Sequence, residues 1–311
     1  MVRFVPLILV ATVAAVAAVF LATSGDKGKL GPFSGERAYA HVASLVGIGP
    51  RHPGSEAIGR ARDYISGQLR EAGWQTSLQH FKDDTPRGTQ EFVNIRARFP
   101  SPEGGNMDWK RGGGLLLLCS HYDTKLMDAI NFVGANDGGS SSGVLLELAA
   151  VLGMAPELAR GIELVFFDGE EAVVEFTEVD GLYGSRHYAK FWRAAPAGEK
   201  PEAAYVLDLV GDSRLRIAPP SDSPPALLRE LYRAAEAAGE RRIFGLHSTP
   251  ITDDHVPLNA AGIPALDVID AGYMGRGSWH TAADSLDSVT PGSLGRVGRV
   301  MLELLDRRAR D

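Results

Sequence analysis

Cysteine is nearly absent from this sequence of 311 residues, and positive charge is in the minority. The single Cys119 cannot form an intramolecular disulfide and excludes a structural zinc site built on thiolates, so a bound metal would need His, Asp and Glu as ligands. The formal net charge of −7 gives no basic surface for a polyanion, and nucleic acid is therefore not an expected partner. Hydrophobic residues make up 44% of the chain, which is enough for a folded core.

The start of the chain differs in composition from the rest. An uncharged apolar run at residues 4–22 follows Arg3, and its length is close to the roughly 20 residues that cross a bilayer as a helix. We predict an N-terminal hydrophobic helix that acts as a signal anchor over residues 1–24. A cleaved signal peptide is the alternative, because residues 22–24 are small. Both interpretations place the folded part outside the cytoplasm, either anchored to the membrane through this helix or secreted.

The remainder is predicted to form one domain. Residues 25–33 have the composition of a linker, and from residue 34 to residue 311 strand-like apolar runs alternate with helical patterns. This alternation predicts an α/β fold in three layers, with a mostly parallel central sheet and helices on both faces. The predicted strands are 75–81, 92–99, 115–119, 162–167, 203–209 and 264–269, with a polar segment at 83–91 between the first two; helices begin near Ser34 and Ser55 and cover 143–152, 183–192, 225–238, 255–261 and 295–305.

Acidic residues and histidines follow the apolar strands. The carboxyl ends of parallel strands meet at one edge of a sheet, where binding sites form, so these side chains should lie close together. Taken singly, each has an ordinary explanation as a turn or a solvated polar residue, and the prediction depends on their combination. The group consists of His121, Asp123, Asp137, Asp168, Glu170, Glu171, Asp208 and His280.

Part of this group matches a catalytic zinc site. Such a site has three protein ligands with nitrogen or oxygen donors and one position left open. Asp137, Glu171 and His280 supply that set. Glu170 is then placed to transfer a proton beside the metal rather than to bind it.

A second metal position is also conceivable. His121 and Asp208 could complete it by sharing Asp137 with the first ion, so one Zn²⁺ is expected and two would fit. Asp123 lies two residues after His121 and would orient its imidazole.

The runs of sequence around these residues resemble a known family. They are SHYDTK at 120–125, FVGANDGGSSSGVLLELA at 132–149, LVFFDGEEA at 164–172, GLYGSRHYA at 181–189, LDLVGD at 207–212, DDHVPL at 253–258 and WHTAADSLDSV at 279–289. In this order they resemble the zinc exopeptidases with one parallel sheet and, among these, the glutaminyl-peptide cyclotransferases. The resemblance covers most of the chain from Ser120 onward and implies a zinc aminopeptidase-like domain.

Two features make the chain more similar to the cyclases than to the aminopeptidases. A loop at residues 172–180 separates the paired glutamates from the GLYGS turn, as in cyclases. The DDH run at 253–255 and the Trp279–His280 pair also resemble the cyclase pattern. The implied reaction converts the N-terminal glutamine of a peptide or protein into pyroglutamate and releases ammonia.

The resemblance also implies a role for individual residues. Asp208 and Asp253 would be hydrogen-bonding partners of the acid/base Glu170, and Trp279 would be a wall of the substrate pocket. Phe176 stands where the animal cyclases have a tryptophan, which makes it a second candidate for that pocket. Asp267 stands where they have a histidine. Asp137, Glu171 and His280 would be the zinc ligands.

Two alternative functions remain open from the sequence. A two-zinc aminopeptidase would hydrolyse the N-terminal residue of a peptide, and its ligand set is present because His121 and Asp208 accompany the other three ligands. A catalytically silent binding domain could use the same pocket without turnover.

Overall fold

A computed structural model describes residues 30–105 and 107–310. The predicted anchor and most of the linker lie outside the described residues, so the signal anchor and the signal peptide both stay predictions. Within the described residues, no helix is both long enough and apolar enough to span a bilayer.

A six-stranded mixed sheet forms the centre of the domain, in the order β1-β2-β4-β3-β5-β6. The last four strands along the chain pair in parallel, whereas β1 and β2 form an antiparallel hairpin that joins β4 in antiparallel fashion. The prediction of a mostly parallel sheet therefore holds for four of the six strands. The strands are β1 (Gln75–Thr85), β2 (Gly88–Arg98), β3 (Leu116–His121), β4 (Ile162–Phe167), β5 (Ala203–Asp208) and β6 (Ala265–Ile269).

The hairpin corrects one prediction. The polar residues 83–91 do not separate β1 from β2 but belong to them, because Thr85 pairs with Gly88 and only Pro86 and Arg87 form the turn. Most side chains near this turn are exposed, so the strands contain no apolar residues there that could mark them in the sequence.

Helices cover both faces of the sheet, as predicted. One face packs against α1, α2, α3, α6 and α8 in the larger hydrophobic core, and the other packs against α5 and α7. The hydroxyls of Ser34 and Ser55 accept hydrogen bonds from backbone N–H groups in the first turns of α1 and α2, which explains where these helices begin. The helices are α1 (Gly35–Ile48), α2 (Glu56–Glu71), α3 (Gly139–Gly153), α4 (Pro156–Ala159), α5 (Tyr183–Arg193), α6 (Pro225–Ala237), α7 (His255–Ala260) and α8 (Pro291–Arg310).

The carboxyl ends of the parallel strands provide the functional edge. β3 ends at His121, β4 is followed by the acidic segment 168–171, and β5 ends at Asp208. These strands are buried along their whole length, so the first side chains that can reach an opening are those at the strand ends. The start of α3 brings Asp137 to the same edge.

Candidate metal centre

Two groups of potential metal ligands converge at this edge. One consists of Asp137, Glu171 and His280, and the other consists of His121, Asp137 and Asp208. In each group, one ligand atom per residue lies within 4.8 Å of the others. The structure therefore brings together the five side chains that the sequence placed at one or two metal positions.

The first group has the ligand atoms that a cation site requires, including two carboxylate oxygens that accept no hydrogen bond. His280 Nε2 lies 3.1 Å from Glu171 Oε1 and 3.4 Å from Asp137 Oδ2. Asp137 Oδ2 and Glu171 Oε2 are buried and accept no hydrogen bond. Their cationic neighbours in the described structure are the His280 imidazole at 3.4 Å and Lys125 Nζ at 3.7 Å, both beyond the distance of a close ion pair. A buried carboxylate oxygen without a donor is unfavourable unless a cation lies beside it. One imidazole and two carboxylates fit a zinc ion.

The second group surrounds one imidazole with carboxylates. His121 Nε2 lies 3.3 Å from Asp137 Oδ1 and 3.2 Å from Asp208 Oδ1. On the other side of the ring, Nδ1 lies 3.4 Å from Asp123 Oδ1, as expected for a residue that orients this imidazole. Burial lowers the pKa of His121, but the three carboxylates outweigh burial and raise it well above its usual value.

The ligand candidates of the first group also perturb one another. Burial lowers the pKa of His280, but the carboxylates of Asp137 and Glu171 raise it to about 9. Burial raises the pKa of Asp137, whereas the two neighbouring imidazoles lower it below its usual range, so that this carboxylate is ionised. A divalent cation would replace the protons as the source of positive charge here.

Glu170 is buried beside Glu171 and differs from it in its surroundings. Burial raises the pKa of Glu170 well above its usual value, and repulsion by Glu171 and Asp253 adds to the effect although His121 opposes it. Neither Asp208 nor Asp253 forms a hydrogen bond with the Glu170 carboxylate, in contrast to the prediction. Asp208 pairs with His121, with which the sequence also grouped it, and the Asp253 carboxylate accepts a hydrogen bond from the next backbone N–H.

Two buried carboxylates bind backbone N–H groups and thereby fix the chain segments that carry Glu170, Glu171 and Asp137. Asp123 Oδ1 and Oδ2 lie 3.1 and 3.3 Å from the backbone nitrogens of Glu170 and Glu171. Asp284 binds the backbone of Asp137 in the same way, at 3.1 Å. Asp284 was not among the predicted site residues, and its spacing of four residues from His280 is the one signal for it in the sequence.

Arg51 is a second residue that supports the site and was not predicted from the sequence. Its guanidinium is fully buried and donates to the backbone carbonyls of Leu45, Tyr122, Val133 and Gly134. It thus joins the segment after β3 to the turn that precedes the Asp137 carboxylate.

The two aromatic candidates for the substrate pocket lie beside ligand candidates. The Trp279 ring stacks on the His280 ring, with 3.8 Å between centroids. The Phe176 ring lies 5.9 Å from Lys125 Nζ, which itself is 3.7 Å from Glu171 Oε2. Both aromatic side chains are partly exposed, so that a ligand could reach them.

Asp267, where the family resemblance implies a histidine in animal cyclases, is fully buried on β6. Neither of its oxygens accepts a hydrogen bond, and Oδ2 lies 3.8 Å from Nδ1 of His255. Burial raises the pKa of Asp267 well above its usual value, and repulsion by Asp253 and Asp208 adds to this, which favours its protonated form.

Three residues other than glycine have a positive φ in the described part of the chain, and all three adjoin this centre. Leu209 (φ 54°) follows Asp208, His280 (φ 54°) is a ligand candidate, and the backbone N–H of Leu182 (φ 55°) donates to the Glu170 carbonyl. Each costs about 1–2 kcal/mol relative to an ordinary backbone conformation.

Comparisons with known proteins identify the family of the chain. The sequence profile of peptidase family M28 matches residues 106–305. The chain therefore belongs to peptidase family M28. A glutaminyl-peptide cyclotransferase-like protein of Bos taurus is 32% identical over 289 residues, which cover 82% of this chain and 71% of that relative. Within family M28 the chain belongs with the glutaminyl-peptide cyclotransferases, and the resemblance found in the sequence is confirmed.

Solved structures show the same relationship. The glutaminyl cyclase of an Acidobacteriales bacterium has a TM-score of 0.79 and 33% identity, covering 92% of this chain and 99% of that one. A leucine aminopeptidase precursor from Bacteroides thetaiotaomicron has a TM-score of 0.76 and 26% identity, covering 89% and 98%. The fold is thus shared by proteins that carry both kinds of name.

Proposed function

We propose that this protein is a metal-dependent glutaminyl-peptide cyclotransferase, which converts the N-terminal glutamine of peptides into pyroglutamate and releases ammonia. The observation that carries the proposal is the convergence of Asp137, Glu171 and His280, with two buried carboxylate oxygens that accept no hydrogen bond and with Glu170 alongside. The cyclase names of the Bos taurus relative and of the Acidobacteriales structure support it.

The metal would be held by Asp137, Glu171 and His280, and we propose that it is one Zn²⁺ ion. When bound, it supplies a Lewis acid for the γ-carbonyl group of the substrate glutamine. His121 would retain its proton between Asp137 and Asp208, so that a second ion is not required to balance these carboxylates.

Glu170 would move the proton. The α-amine nitrogen of the substrate forms a bond to the γ-carboxamide carbon, the carbon–nitrogen bond of the carboxamide breaks, and ammonia leaves. Glu170 accepts a proton from the attacking amine and donates it to the departing nitrogen, so no water is consumed. Its raised pKa suits a carboxylate that must hold this proton briefly. Binding amine and carboxamide in one pocket also favours ring closure by proximity.

The neighbouring residues would prepare this step. Asp253 helps to raise the pKa of Glu170 through repulsion, and Asp208 holds His121 in place. Trp279 and Phe176 would border the pocket for a peptide with a free N-terminus. Trp279 stacks on His280 and would therefore restrict how deeply a side chain enters.

A two-metal aminopeptidase is the second candidate, because the group of His121, Asp137 and Asp208 is also complete. Mass spectrometry of a Gln-initiated peptide after incubation with the zinc-loaded protein separates the two. Loss of ammonia with unchanged chain length supports cyclisation, whereas release of free glutamine supports hydrolysis and would overturn the proposal. The E170Q variant controls for spontaneous cyclisation. No product beyond that control would favour a silent binding domain.

We also propose that residues 1–24 place the enzyme outside the cytoplasm. The length and apolar composition of residues 4–22 support this proposal. Fractionation of cells that express the full chain tests it, with N-terminal sequencing to distinguish an anchor from a cleaved signal peptide. Recovery of the full-length chain in the cytoplasm would contradict it.

A further inference from the structure

The loop at residues 172–180 is organised around one buried carboxylate. The side chain of Asp180 accepts hydrogen bonds from the backbone nitrogens of Val173 at 2.7 Å, Val174 at 2.9 Å and Glu175 at 3.0 Å. It also accepts one from the hydroxyl of Tyr183 at 2.8 Å. Each carboxylate oxygen thus binds two donors. Burial raises the pKa of Asp180, but these hydrogen bonds outweigh burial and lower it, so the group is ionised.

A side chain of α5 binds the C-terminal part of the same loop. Arg186 donates to the carbonyl oxygens of Glu178 at 2.8 Å and Val179 at 3.0 Å. Thr177 adds two bonds to Asp180, one through its backbone nitrogen and one through its hydroxyl. Apolar packing holds only the start of the loop, where Val173 is buried against Phe81, Phe92 and Tyr183. Val174 and Val179 are exposed, so the rest of the loop is held mainly by polar contacts to its backbone.

The loop begins directly after a ligand candidate and carries a pocket residue. Lys125 donates to the carbonyl of Ala172 at 3.0 Å and lies near Glu171, which connects the start of the loop to the metal centre. Phe176 packs on Gly181, where a Cβ atom would lie 2.6 Å from the ring. The position of Phe176 relative to the metal centre therefore depends on the shape of the loop.

We propose that Asp180 is a positioning residue that keeps this loop preformed as a wall of the substrate site. The inference rests on the proposed function in one respect, namely that the substrate is a Gln-initiated peptide. Asp180 does not touch a metal-ligand candidate, so its effect falls on peptide binding and not on metal binding or proton transfer. Without it, each binding event must first order the loop, which weakens binding.

The test compares D180A and D180N with D108A. Asp108 is a matched control, because it also binds a loop backbone nitrogen, that of Lys110 at 3.0 Å. It precedes β3 and therefore lies at the edge of the sheet opposite to the metal centre. For the zinc-loaded proteins we would measure KM and kcat on a Gln-initiated peptide, metal content and the rate of proteolysis within residues 172–180.

For D180A we expect an increase of about tenfold in KM, which corresponds to a loop that is correctly shaped about one tenth of the time. Turnover should change by less than about threefold, because the residues that act in the chemical step are unaffected. Metal content should stay unchanged, and the loop should be cleaved faster. D180N retains one oxygen and should lie between wild type and D180A. D108A should match wild type in all four measurements.

Peptide binding measured by calorimetry in an E170Q background separates this inference from the proposed function. One outcome is that the wild type shows no cyclase activity while D180A still weakens peptide binding in the E170Q background. In that case the proposed cyclase function is wrong, whereas the positioning role of Asp180 is supported. A D180A protein with unchanged KM and unchanged proteolysis overturns the inference. A D180A protein that loses its metal, or whose kcat falls while its KM stays constant, also overturns the inference. If D180A does not fold, D180N decides by the same criteria.

Discussion

The carboxylate of Asp284 accepts a hydrogen bond from the backbone nitrogen of Asp137 at 3.1 Å. It accepts a second from Asn136 at 2.6 Å, and its own carbonyl accepts one from Ala135 at 3.4 Å. Because Asp284 follows His280 by four residues, this side chain joins the segments that carry two of the three proposed ligands. The spacing between those ligands therefore depends on a residue that binds no metal.

We expect D284A to weaken zinc binding by about 10–100-fold, the usual effect of removing a group that orients a metal ligand. Competition with a chromogenic chelator measures this affinity without requiring activity. Asp287 lies in the same segment but is exposed, so D287A is a matched control that should bind zinc as wild type does. Equal affinities for D284A and D287A would contradict the role of Asp284.

The adjacent glutamates should respond differently to the same substitution. E170Q should retain the metal and lose turnover by about 100-fold or more, because it removes the proposed proton-transfer group. E171Q should lose metal affinity as well, because it removes a proposed ligand. Metal analysis after gel filtration, combined with ammonia release, distinguishes the two. If E170Q turned over at the wild-type rate, the acid/base assignment would be wrong.

The metal-free protein should lose stability as the pH rises. Burial lowers the pKa of His280, but Asp137 and Glu171 raise it to about 9 in the folded protein, above the ordinary value of 6.5. A raised pKa means that the folded state binds the proton more tightly, so this stabilisation is complete below pH 6.5 and disappears as the pH passes through about 9.

Thermal unfolding of the metal-free protein between these two pH values measures the effect. H280N serves as the control, since asparagine tolerates the left-handed backbone that His280 adopts. Its Tm should fall less over the same range. Zinc affinity of the wild type should rise with pH, because the imidazole must be neutral to bind the ion. A Tm that rises with pH only in wild type would contradict the prediction.

Replacement of Arg51 should destabilise the fold. R51M would leave four backbone carbonyls without their buried donor, and we expect the free energy of unfolding to fall by about 3 kcal/mol or more. R60M is a suitable control, because Arg60 is exposed and donates to a single carbonyl, that of Ile48. Urea denaturation of both variants provides the measurement, and similar losses would show that burial of Arg51 is unimportant.

The position of the metal centre could be predicted from the sequence because the topology determines it. Buried apolar runs identify β3, β4 and β5, and the side chains after them must meet where parallel strands end. That reasoning places Glu171 at this edge, and the start of α3 and the loop after β6 bring Asp137 and His280 to it. Their role as ligands stays a prediction.

The contacts that organise the centre could not be predicted in the same way. Asp284 and Arg51 bind backbone atoms of distant segments. Because nearly every residue has a backbone N–H and a carbonyl, the sequence does not show which of them a side chain will bind. The direction of a side chain is also not encoded in the local sequence. Asp208 was predicted both as a partner of Glu170 and as a neighbour of His121 at a second metal position, and it pairs with His121. The polar hairpin turn at residues 86–87 was missed because its strands have no apolar face there.

At His280 the left-handed backbone conformation lowers the stability of the fold, whereas the proposed function requires the imidazole at this position. Glycine would adopt this conformation without strain, and asparagine nearly so, but neither offers an imidazole to an ion. His280 also stabilises the fold while it is protonated beside Asp137 and Glu171, and that contribution disappears above about pH 9. Directed evolution without metal that rewards heat resistance alone at such a pH should therefore tend to discard this histidine. A thermostable library of this enzyme would have to be screened for retained zinc at every round.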